Sequence, residues 1–202
     1  KDYLPELRVA EKVQQPISSA LGPNVSEQVD LSQLPPEIAA EVEIALAGVD
    51  RVHGAGALPR KVIEYREPSE RQEVGGYNHI TDTIYLTARL RQEHAQMAIL
   101  HELGHRMDWQ AIPNGVWDSG IDPKSSTDVR DILAIARPTA SFRRIMNNER
   151  LLPAFREQYV AKHDEMYARL YTQFIAFESN NLTALASINK LEENLPGYHW
   201  VP

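Results

Sequence analysis

His101-Glu102-Leu103-Gly104-His105 constrains this chain more than any other stretch of it. The pattern H-E-x-x-H carries chemistry only on a helix, where residues four apart stand one turn above each other and two imidazoles can converge on one metal ion. Glu102 is then turned from His101 by roughly a third of a turn. That sets its carboxylate beside the ion, within reach of a water and outside the ligand set. The bland alternative is a pair of surface histidines. Gly104 speaks against it, because glycine inside a helix costs about 1 kcal/mol relative to alanine, a cost that makes sense where something must approach closely.

A catalytic zinc takes three protein ligands and keeps a fourth position open, so the two histidines need a partner. Glu165 is the best candidate, because the apolar pattern after it predicts a buried helix whose start faces the site. Glu149, Glu157, Asp128 and His163 are rivals. Asp108, seven residues beyond His101, falls on the same stripe of the helix. It can accept a hydrogen bond from an imidazole and fix its tautomer, or it can simply cap or solvate the helix end.

The rest of the chain reads as a mixture of helices and short strands. Leu4 to Val13 is helical and Leu21-Gly22-Pro23-Asn24 is a turn; Pro35-Pro36 introduces a helix from Glu37 to Ala47, ended by Gly48. His53-Gly54-Ala55-Gly56-Ala57 is expected to be a hinge, dividing an N-terminal helical region (1–57) from a second domain (58–202). Lys61 to Tyr65 and Thr81 to Thr87 read as strands, with Gly75-Gly76 a turn or bulge between them. The helix carrying the histidines is expected over Ala88 to Gln110, with Ala98, Leu100, Leu103 and Met107 facing the core. Ile112 to Pro123 is a loop, and helices are expected at Ser126 to Ala136, Thr139 to Asn147 and from Pro153. His163 to Glu178 is a strong helix with Met166, Leu170, Phe174 and Phe177 on one side, and a short helix follows Asn180. His53, His79 and His199 read as ordinary loop residues, and Glu64 to Glu73 as a solvated charged loop.

Composition narrows the function. The 202 residues, 43% of them apolar and 24% charged, suit an ordinary globular protein. A net charge of -7 argues against a nucleic-acid partner, which requires clustered Lys and Arg. The absence of cysteine excludes disulfides and thiolate metal sites. No apolar run is long enough to span a membrane, and the first residues lack a signal-peptide pattern. The chain begins at Lys1, as a processed or excised piece would.

The HELGH motif, Asp108, Glu165 within Glu-Met-Tyr-Ala-Arg and the Ile84-Tyr85-Leu86 strand together resemble the gluzincin metallopeptidases, closest in type to the anthrax lethal-factor catalytic domain. The resemblance covers about residues 75 to 180. It implies one zinc per chain held by His101, His105 and Glu165, with Glu102 taking a proton from an activated water and returning it to the leaving amine. It implies a tyrosine a little upstream of the ligand Glu that assists the oxyanion, for which Tyr159 is the choice and Tyr167 and Tyr171 are alternatives. It also implies that Thr81 to Thr87 is the edge strand that pairs with an extended substrate, or the neighbour of that strand.

The expected fold is therefore α+β and zincin-like, with a small twisted sheet, an active-site helix and a mostly helical C-terminal half. The expected function is zinc-dependent hydrolysis of a protein or peptide substrate. By analogy it is that of a secreted or injected bacterial or phage toxin or effector domain. Two other classes remain: a non-catalytic module that keeps zinc for stability, and a binding protein whose N-terminal helices are the active part. Oligomeric state is not encoded in these patterns.

Overall fold

A computed structural model describes residues 29–54, 61–69, 73–110, 140–148 and 161–194, with single positions between 131 and 156. The helices expected at Leu4 to Val13, in the earlier part of Ser126 to Ala136 and through most of the run from Pro153, and the loops at 21–24 and 112–123, lie outside the described residues.

The architecture is α+β, built on a small mixed sheet of four strands. The strands are β1 (Val29–Asp30), β2 (Lys61–Arg66), β3 (Gly75–Asn78) and β4 (Thr83–Thr87), in the spatial order β1-β2-β4-β3. β1, β2 and β4 run parallel, with Ile63 opposite Ile84, and β3 runs antiparallel to β4, with Gly76 opposite Tyr85. Thr83–Thr87 is thus an inner strand, and β3 is the outermost strand on that side. Gly75-Gly76 is part of a strand and not a turn. A side chain at Gly76 would collide with the Tyr85 ring, so pairing with β4 decides the local conformation over the glycines' turn preference.

Among the described residues the helices are α1 (Pro36–His53), α2 (Ala95–Gln110), α3 (Ala140–Met146), α4 (His163–Glu178) and α5 (Leu182–Asn194). α1 begins with proline in its first turn and does not end at Gly48. Gly48 is buried within it, where a Cβ would meet Ser179 Oγ at 3.1 Å, so the glycine serves helix packing. The stop is Gly54, at φ 75°, whose N–H donates to Asp50 O at 2.8 Å. His53 is accordingly the last helical residue and not a loop residue; its ring stacks on Tyr171.

α2 starts later than Ala88. Arg91 is extended and a 3-10 turn at Gln92–His94 precedes the helix, while Leu90 N–H closes a turn onto Thr87 O. Ala98, Leu100 and Leu103 are buried as expected, and Ile99 joins them, but Met107 is exposed. On α4 the buried face is Met166, Ala168, Arg169, Tyr171, Thr172, Ile175 and Ala176, whereas Phe174 and Phe177 are exposed. α4 turns into α5 through Asn180 at φ 53°, and Asn181 Oδ1 caps the new helix by accepting Ala184 N–H.

The main core joins Ile38, Val42 and Leu46 of α1, Ile63, Ile84 and Leu86 of the sheet, Ile99 and Leu100 of α2, Ile175 of α4 and Ile188 of α5. Residues on both sides of position 57 therefore share one core, and β1 pairs directly with β2. Among the described residues, no helix is long and apolar enough to cross a membrane.

Candidate metal centre

α2 and α4 cross where Gly104 meets Ala168: a Cβ on Gly104 would stand 2.7 Å from Ala168 Cα and 3.2 Å from its carbonyl oxygen. The missing side chain lets the two backbones approach, and one turn before Ala168 stands Glu165. Glu165 Oε2 lies 3.3 Å from His101 Nε2, and Oε1 lies 3.5 Å from His105 Nε2. The imidazoles are perpendicular, with centroids 4.7 Å apart. The three side chains form a possible metal-binding triad.

The donors fit a tetrahedral ion. Two atoms each about 2.0–2.1 Å from such an ion stand about 3.3–3.4 Å apart; His101 meets Glu165 Oε2 at that spacing, and His105 meets the other oxygen, Oε1, at 3.5 Å. Glu165 Oε2 is buried and makes no hydrogen bond among the described residues, although an imidazole nitrogen is beside it. Two imidazole nitrogens and one carboxylate oxygen are also the chemistry that zinc accepts.

Electrostatics bind the group together. Burial alone would raise the carboxyl pKa of Glu165, but its contacts with His101 and His105 outweigh burial and hold it well below the usual carboxylate range. Burial works to lower His105, yet its contact with Glu165 and the negative charges of Glu102, Glu165 and Asp164 raise it. Glu102, 6% exposed, is pushed above the ordinary range chiefly by burial; the two histidines oppose the rise, and Glu165 and Glu73 add to it.

His101, Glu102, His105 and Glu165 are thus brought together. Asp108 is wholly buried on α2, which sets aside a solvated helix end. Tyr159, and the rival ligands Asp128, Glu149 and Glu157, lie outside the described residues. His163 is described and is not part of the triad. Tyr171 points elsewhere: its hydroxyl is 3.3 Å from His53 Nε2. Tyr167 packs against the main core.

Several neighbours were not anticipated. Any side chain on Gly75 would touch Glu102 Cγ, at 3.6 Å, so β3 runs directly alongside the buried carboxylate. Tyr85 donates to Glu73 Oε1 at 2.7 Å, under the Arg66 guanidinium, and its hydroxyl is pushed up to about 12 by burial and by Glu73. Glu73 is therefore no part of a solvated loop. Arg106, next to His105 and 2% exposed, donates through Nε and a terminal nitrogen to Asp82, which also accepts from Tyr77. This clamp ties α2 to the β3–β4 turn. Arg169, wholly buried one turn beyond Glu165, has a terminal nitrogen 3.6 Å from Glu165 Oε2; that i, i+4 spacing is a local signal, whereas the Asp82 and Glu73 contacts had none.

No protein-family model, curated protein or solved structure gives a significant match to the chain.

Proposed function

We propose that the chain is a zincin-like zinc metallopeptidase that hydrolyses peptide bonds of a protein or peptide substrate. One observation carries the reading: a buried carboxylate, Glu102, stands on the same helix turn as two histidines that already meet Glu165 at ligand spacing. A purely structural zinc site has no use for that base.

His101, His105 and Glu165 would hold the ion. When bound, zinc supplies a Lewis acid and lowers the pKa of a coordinated water from about 15.7 to about 7. Glu102, its own pKa raised by burial, accepts the proton from the attacking water and delivers it to the leaving amine. β3 orients the substrate. Because Thr87 N–H bonds to Val74 O, the alternation of an antiparallel pair directs the backbone groups of Gly75 and Tyr77 away from β4. An extended peptide laid along that side would run past Glu102.

The test is metal removal on the intact protein. Chelation is expected to abolish cleavage of an unstructured protein such as casein, and stoichiometric zinc to restore it. Cleavage that survives a metal-free state contradicts the proposal. A zinc-loaded protein that melts higher but cleaves nothing across a degenerate peptide library supports a zinc-stabilised structural module instead.

A further inference from the structure

We infer that Trp109 and His79 form a specificity subsite, which takes an apolar or aromatic side chain of the substrate about three or four residues from the scissile bond. This deepens the reading of β3 as the strand that orients the substrate, and rests on it. Trp109 follows Glu102 by seven residues on α2. That returns it to within about 20° of the same stripe, about 10.5 Å farther along the axis. β3 follows that stripe. Gly75 lies beside Glu102, where its Cβ would stand 3.6 Å from Cγ. Just past the end of β3, the His79 ring meets the Trp109 ring at a centroid distance of 4.2 Å, tilted by 45°. The edge strand and the helix are thus aligned from the base to the aromatic pair.

An extended peptide advances about 3.3–3.4 Å per residue. A chain laid on the outer side of β3, with its reacting carbonyl at Glu102, therefore brings a side chain to Trp109 about three or four residues away. An antiparallel peptide presents that side chain N-terminal to the scissile bond, and a parallel one presents it C-terminal. The surroundings suit an apolar guest. Trp109 is half-buried and Ile80, beside His79, is 85% exposed; neither packs into the hydrophobic clusters of the described residues. The turn is also held in place, because Asp82 accepts from Arg106, Tyr77 and Gln110. A guest meets an aromatic face that is already positioned, which lowers the cost of binding. A pair that merely pinned the turn would act on every substrate alike.

The experiment uses the zinc-loaded chain. Cleavage of a degenerate peptide library is mapped by mass spectrometry, and one cleaved peptide is remade with Phe or Ala at each position on either side of the scissile bond in turn. Wild type is expected to favour Phe over Ala by about tenfold in kcat/KM, mainly through KM, at a single position about three or four residues from the bond. Fluorescence anisotropy of the same peptides on Glu102→Gln reads the preference as binding, without turnover. Trp109→Ala is expected to bring the Phe-to-Ala ratio down to about one by both readouts, and His79→Ala to reduce it in part. No preference at that distance in wild type, a ratio kept by folded Trp109→Ala, or an equal fractional loss for both peptides overturns the inference and leaves the peptidase reading standing. A wild type that cleaves no peptide overturns both. Should Trp109→Ala not fold, His79→Ala decides, its exposed site tolerating the change: a reduced ratio supports the inference and an undiminished one overturns it.

Discussion

Glu102→Gln is expected to lower kcat/KM for peptide hydrolysis by about a hundredfold to ten-thousandfold, with zinc content unchanged. The amide has the shape of the carboxyl group but cannot accept the proton. The loss corresponds to about 3–5 kcal/mol of activation free energy. Folding should not suffer, because burial already disfavours the charged carboxylate at this position; an uncharged side chain there removes a desolvation cost. Steady-state kinetics beside metal analysis and a melting curve check all three statements. A variant that keeps more than about a tenth of wild-type activity would place the base elsewhere.

Gly104→Ala is expected to damage fold and site together. Alanine is the better helix former by about 1 kcal/mol, so an isolated helix would gain. Here the new Cβ would stand 2.7 Å from Ala168 Cα, a backbone atom that cannot rotate away. α4 must move, and overpacking of this kind costs about 1–3 kcal/mol. Glu165 moves with α4, so zinc affinity should fall by about tenfold or more, as it does when the groups that orient a ligand are disturbed. Gly104→Val should be worse on both counts. Thermal melts with and without zinc measure the two effects separately. An alanine variant more stable than wild type, with undiminished zinc affinity, would show that the crossing is looser than the contact distances require.

The cluster of His101, Glu102, His105 and Glu165 was legible in the sequence because its signals are chemical and short in range. Two histidines one turn apart, with a glutamate between them, need only a helix to become a site, and the apolar spacing after Glu165 predicted the helix that delivers it. What was not legible depends on partners far along the chain. Gly48 reads as a helix stop and is a packing surface for Ser179. Gly75 and Gly76 read as a turn, yet pairing with β4 draws them into a strand. Phe174 and Phe177 look like the buried stripe of α4, but the face that crosses α2 must be thin at Gly104. Ala168 packs there instead, and Thr172 and the charged Arg169 are among the other buried residues of α4. Residue type alone does not announce that exchange. The Asp82–Arg106 clamp escaped for the same reason: its partners are 24 residues apart.

The most direct measurement is metal content by mass spectrometry on the purified wild-type chain and on Glu165→Ala, each after exposure to zinc and removal of excess. The account predicts one zinc per wild-type chain and nearly none in the variant, with both proteins folded. Zinc retained at one per chain without Glu165 would contradict it.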